Sequence, residues 1–210
     1  MNVAQFILER RAEVLQRTVE HVQLSGISVL LAVCVGVPLG IMLTRKKGLT
    51  MPVVGVVNVV QTIPSLALLG FLIPLLGIGL KPAILALFLY SLLAIIKNTI
   101  AGINQVDRSI IEAGMGMGMT NLQILLKLEL PLSVPVILSG IRIATVTCIG
   151  IATLCAAVGA GGLGQFIFRG ISMVNSNMIL AGAIPAALLA LFFDFILLRV
   201  EKYLTPRGVS

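Results

Sequence analysis

Apolar runs separated by short polar breaks organise this chain. Five runs stand out, at residues 22–43, 52–76, 82–103, 134–158 and 178–198. About 20 apolar residues at about 1.5 Å each cross a hydrocarbon core of about 30 Å, so each run predicts a membrane-spanning helix. The expected fold is therefore all-α and polytopic, with about five transmembrane helices over residues 21–200. Ahead of them, Phe6, Ile7, Val14 and Leu15 recur at helical spacing among three Arg and three Glu. That pattern predicts a surface helix on the bilayer over residues 1–20, followed by His21 as an interfacial residue. Residues 201–210 read as a polar tail.

The breaks carry further detail. Pro64 and Pro74 interrupt the second run, and proline inside a spanning helix predicts a kink. Pro185 predicts a bend in the fifth run. The break at 107–131 is unlike the others, because it is long and half polar. Glu112, Ala113 and Gly114 open its central stretch, Gly118 lies six residues after the Glu, and Leu130-Pro131 closes it. This reads as two short helices with a glycine-softened joint. Pro131 is placed to begin the next helix, where no N–H partner is lost. Gly114 and Gly118 are expected to permit close approach of a partner.

Composition supports the membrane reading, since 58% of residues are hydrophobic, 11% are charged and mean hydropathy is +1.10. Soluble domains carry about 25% charged residues. The net charge of +7 does not point to nucleic acid, because the basic residues are scattered at the ends of apolar runs. Their distribution predicts orientation instead. With Arg45-Lys46-Lys47 inside, the inner segments total +5 and the outer ones +2, which puts the N-terminus outside and the C-terminus and the 107–131 loop in the cytoplasm.

Little catalytic chemistry is visible. The run Gly159-Ala160-Gly161-Gly162-Leu163-Gly164 fits a dinucleotide fingerprint literally, but a spanning helix precedes it and the next acidic residue is Asp194. It reads as an outer turn in which the backbone must move or pack tightly. No phosphate loop is present, so no ATP site of that kind is expected, nor any cofactor or metal site. Met115, Met117 and Met119 do not share a helix face, which suits a pliable docking surface better than a metal. Cys34, Cys148 and Cys155 read as small packing residues. Asn58 and Gln61 share a face near Pro64, either joining helices or lining a path. Arg142 and Asp194 are the ionisable groups at depth. Their similar depth predicts an ion pair that sets packing or the inner gate, against the alternative that each reaches the interface separately.

The stretch from Glu112 resembles the cytoplasmic EAA loop of bacterial ABC importer permeases of type I. The family pattern is E-A-A, three residues, G, nine residues, I, any residue, L-P. Glu112-Ala113-Gly114, Gly118, Leu128 and Leu130-Pro131 fall at those spacings. Gly114 replaces the second Ala, and Leu128 replaces Ile. Residues 61–65 (QTIPS), 61–79, 86–93 (ALFLYSLL), 157–164 (AVGAGGLG) and 179–185 (ILAGAIP) extend the likeness towards permeases for glycine betaine, carnitine and choline. The resemblance implies a transport subunit that is not itself an enzyme, working by alternating access in the bacterial cell membrane. It implies as partners a second permease (identical or related), two ATP-binding cassette ATPases that bind ATP and Mg, an extracellular substrate-binding protein, and membrane lipid. Glu112 would then be a docking contact. An importer of another small solute, such as an amino acid, and a stand-alone proton-coupled carrier or channel are the alternatives.

Overall fold

The computed structural model describes residues 3–205, the Lys47 side chain excepted; Arg207 of the tail, counted in the charge bias, lies outside them. Those residues form an all-helical bundle. Four helices are long and apolar enough to cross a membrane, and a bent pair supplies a fifth crossing if counted as one span.

α1 (Val3–Glu9) is followed almost at once by α2 (Arg11–Arg45), a single helix of 35 residues and about 52 Å. The expected change near residue 20 from surface helix to span is absent: the break falls at Arg10. The cause lies in the stripe that α2 buries. Val14, His21, Ser25, Ser28, Ala32, Gly36 and Gly40 are all buried and recur every three to seven residues, so one face carries through from the amphipathic segment into the span. The same stripe explains why His21 is buried rather than interfacial.

Small residues on that stripe bring α2 onto α5 (Leu80–Asn104). A Cβ on Gly36 would lie 2.9 Å from Ile95 Cγ2, and one on Gly40 would lie 2.7 Å from Thr99 Cβ. Close backbone approach is what packs helices in lipid, where apolar burial drives little. α5 in turn packs on α8 (Leu130–Ala152), with Gly140 against Asn98 and Gly102 against Ser133. Cys148 of α8 closes the triangle by donating to the Ser25 carbonyl of α2 at 3.7 Å. Cys148 and Cys155 are buried, free thiols in this core, as expected of packing residues, whereas Cys34 is exposed. The final helix, α10 (Ser176–Leu204), lies on α8 and on the short α9 (Gly164–Ser172). α9 occupies the middle of the break between the fourth and fifth apolar runs.

The second run is not a kinked helix. α3 (Lys47–Thr62) and α4 (Ser65–Leu76) meet at an angle of 100° across Ile63-Pro64. Pro64 cannot donate an N–H, and it pushes Ile63 out of helical conformation, to ψ 127°. The corner is then held on α5: Gln61 Nε2 donates to the Tyr90 carbonyl at 3.0 Å, and the Tyr90 hydroxyl donates to the Ile63 carbonyl. Two bonds from two residues fix a turn that proline alone would leave as a bend.

Candidate functional site

The polar loop begins with α6 (Arg108–Gly116). Asp107 caps it by accepting the Ser109 N–H at 2.9 Å. That bond and one from the Ser109 hydroxyl hold the Asp107 carboxyl below its ordinary pKa. α6 ends in a Schellman closure, with Met119 N–H on the Gly114 carbonyl at 3.1 Å and Gly118 N–H on the Met115 carbonyl at 2.9 Å. Gly118 sits at φ 78°, the left-handed conformation that this closure requires. Nothing within the chain lies within 4 Å of where its Cβ would be. Gly118 is therefore open on the outside of this chain, whereas a Cβ on Gly114 would lie 2.8 Å from Leu128 Cδ1, and Met119 also covers Gly114.

Thr120 and Gln123 then form a reciprocal capping box that starts α7 (Asn121–Ile124). Here the structure departs again from expectation. Pro131 falls in the first turn of α8, but that turn is not a free start: one helical body runs Asn121–Ala152, with a π-helical segment at Leu125–Glu129 between α7 and α8. Pro131 has no N–H for the Lys127 carbonyl, and its ring would clash there in a regular α-helix. Widening the turn just before it removes that conflict. Leu128 lies on the widened turn and faces Gly114, while Leu130 is half-buried and Pro131 exposed.

The exposed side of this loop is compact and mixed. Glu112 reaches back to Arg108 at 3.1 Å, and both are exposed. Ala113 is exposed beside it. Met115 and Met117 are 55% and 74% exposed, whereas Met119 turns inward. Greasy, adaptable side chains around a carboxylate make a surface suited to contact with another protein.

Beneath the loop lies a contact that sequence reasoning missed. Glu129, only 4% exposed at its side chain, bonds Arg45 at the end of α2. In the sequence Arg45 marks the inner side, and Glu129 carries no signal of its own beyond its charge and its place beside Leu128 and Leu130, in a stretch that must pack against the bundle.

The ion pair at depth is present: Arg142 Nη1 and Asp194 Oδ1 are 3.5 Å apart. A third member was overlooked. Glu201 lies 3.4 Å from Arg142 Nε, seven residues after Asp194 and so on the same face of α10. Arg142 thus ties α8 to two successive points on α10. Around α8 from this pair, Gln61, Tyr90, Lys97, Asn98 and Thr147 line a cavity of about 320 Å³ between α3, α5 and α8. Asn58, half-buried one turn before Gln61, does not line it.

The glycine run lies at the other end of the bundle. A 3-10 segment at Leu154–Val158 ends α8, and the chain turns through Gly159, Gly161 and Gly162, all at positive φ, before α9 starts at Gly164. Of the two readings, tight packing is what the structure has. Gly162 N–H donates to Glu20 Oε2 at 3.0 Å, and Arg17 holds the same oxygen at 2.8 Å. A Cβ on Gly161 would meet that carboxylate at 2.8 Å, and one on Gly162 would meet His21 Nδ1 at 3.0 Å. His21 Nε2 bonds the Ile149 carbonyl at 3.0 Å.

Comparison with known proteins accords with this architecture. Residues 36–208 match the family model described as binding-protein-dependent transport system inner membrane component. The chain is 46% identical over 209 residues to the choline transport system permease protein OpuBB of Bacillus subtilis (strain 168), covering 100% of this chain and 96% of that one. It is 47% identical to the carnitine transport permease protein OpuCB of Listeria monocytogenes, covering 99% and 95%. Among solved structures it is similar to the MetNI methionine ABC transporter in an inward-facing conformation. There the TM-score is 0.84 at 25% identity, over 92% of this chain and 96% of that one.

Proposed function

Because the chain belongs to the family of binding-protein-dependent transport system inner membrane components, we propose that it is the membrane-spanning subunit of an ATP-driven importer for a quaternary-amine osmoprotectant: glycine betaine, carnitine or choline. The carrying observation is the near end-to-end identity with permeases named for choline and carnitine. The exposed loop from Glu112 adds a surface suited to an energy-supplying partner.

In this reading the subunit pairs with a second permease, identical or related, and cargo passes between them. Two ATPase subunits, which hold the ATP and Mg, receive the two loops from Glu112 to Pro131. A binding protein delivers cargo on the opposite face. The +5 against +2 charge bias supports a cytoplasmic loop and C-terminus with the N-terminus outside. ATP binding would draw the loops together and rock the bundles between inward- and outward-facing states. The Arg142, Asp194 and Glu201 group joins two spans at the loop end and is placed to hold an inner gate. The test is uptake into proteoliposomes containing this chain, its ATPase and its binding protein. ATP-dependent uptake of a quaternary amine is expected; uptake of an amino acid in its place would move the cargo assignment and leave the importer assignment standing.

A further inference from the structure

We propose that Arg45 and Glu129 are a positioning pair that transmits movement of the polar loop to α2. The proposal rests on the importer reading and adds a route for the mechanical step. Three observations carry it. First, the loop is anchored to Glu129's own segment: Gly114 of α6 seats against Leu128, and Ile124 beside them is buried. Displacement of α6 therefore bears on the π-helical turn. Second, Glu129 is withdrawn from solvent on that turn, and its carboxylate is bound by Arg45 from 84 residues away. A carboxylate held in such surroundings is bound firmly to its cation, since separating the two leaves a buried charge unpaired. Third, Arg45 stands at a corner. It is the last residue of α2, and only Lys46 separates it from α3. Thr50 Oγ1 of α3 bonds the Leu43 carbonyl at 2.9 Å across the same corner.

The consequence follows from the packing already described. α2 is one continuous helix with a small-residue stripe against α5, and its far end carries Glu20 and His21 into the glycine turn. A pull at Arg45 is delivered to α2, which is seated on α5 on both sides of Pro38 by Gly36 and Gly40. The same pull reaches α3, whose other end is the 100° corner beside the Gln61–Tyr90 cavity. The pair thus joins the loop to both α2 and α3 without touching the loop's exposed surface.

The test compares uptake per ATP hydrolysed in proteoliposomes holding the whole complex with liganded binding protein. In Arg45→Gln and Glu129→Gln, assembly with the ATPase and most ATP hydrolysis are expected to persist, while uptake per ATP falls about tenfold, the order expected for loss of a coupling contact. A rescue arm uses Arg45→Cys with Glu129→Cys in a Cys34→Ser background; removing the half-exposed Arg45 side chain opens position 129 to the reagent, whereas Cys148 and Cys155 lie in the helix core. Unbridged, this variant is expected to be uncoupled. Bridged by a short bifunctional thiosulfonate, it is expected to recover uptake per ATP. An unchanged ratio in the Gln variants, including a proportional fall of uptake and hydrolysis, overturns the proposal, as does a bridged variant that stays uncoupled. Absence of ATP-driven uptake in the unsubstituted complex would instead overturn the importer reading beneath it.

Discussion

Gly118 and Gly159 end their helices in the same way, each at left-handed φ after a helical turn, with the following N–H bonded five residues back. Their surroundings are opposite. After Gly118 the chain stays exposed, and a side chain there would meet nothing within 4 Å. After Gly159 the chain dives inward, and Gly161, Gly162 and Gly164 are all buried against α2 or α8. One glycine turn leaves a surface open, and the other is closed by contacts within the chain. In sequence they look alike. A glycine can serve a backbone angle, a steric contact or both, and spacing does not separate these.

Substitutions can break this contrast. The largest effect is expected at Gly164, where a Cβ would lie 1.9 Å from the Thr153 carbonyl oxygen. Backbone cannot yield as a side chain can, so Gly164→Ala should cost more than about 3 kcal/mol. Monodisperse protein on detergent size-exclusion should be lost. Glu20→Gln comes next. It weakens the charged acceptor shared by Gly162 and Arg17, and hydrogen bonds to charged groups contribute about 1.5–3 kcal/mol. The midpoint of thermal unfolding in detergent should fall, with assembly retained.

Gly118→Val should be milder for the isolated subunit, about 1–2 kcal/mol for a branched residue held at left-handed φ. Its effect on function should be larger, because it remodels the open surface: ATP hydrolysis continues while uptake falls. A loss of stability equal to that of Gly164→Ala would erase the distinction between the two turns. The smallest effect is expected at Asp107, whose carboxyl is held below its ordinary pKa by Ser109. A depressed folded pKa contributes stability above the unfolded value of about 3.9 and loses it as pH falls through the folded value. Protection factors of the α6 amides, with the intrinsic pH dependence of exchange divided out, should therefore be highest near neutral pH and fall on acidification. Asp107→Asn should flatten that dependence.

The broad architecture was legible because lipid imposes a simple code. Apolar runs of fixed length give spans, and the five predicted runs coincide with helices or with the bent α3–α4 pair. The loop was legible because Glu112, Gly118 and Pro131 punctuate it. Long-range partnership was not. Glu20 with Gly162 and Arg45 with Glu129 join residues 142 and 84 positions apart, and local periodicity carries no such information. Arg142 with Asp194 was found only because charge at membrane depth is rare enough to demand a partner. The severity of the Pro64 break was hidden because the bonds from Gln61 and Tyr90 that hold it depend on a neighbouring helix. The course through Pro131 was misread for a local reason: a π-helical turn accommodates proline inside a helix that sequence rules would start there.

In the importer reading the open loop, and not the buried glycine turn, receives the ATPase. Thiol cross-linking tests it most directly. Met117 and Met173 are 74% and 67% exposed at opposite ends of the bundle. Each is replaced by Cys in a Cys34→Ser background, and the assembled complex is treated with a short maleimide–succinimidyl ester reagent, which joins the thiol to a nearby lysine of the neighbouring subunit. Met117→Cys is expected to join the ATPase subunit, and Met173→Cys is not. A cross-link to the ATPase from Met173→Cys, with none from Met117→Cys, would contradict that reading.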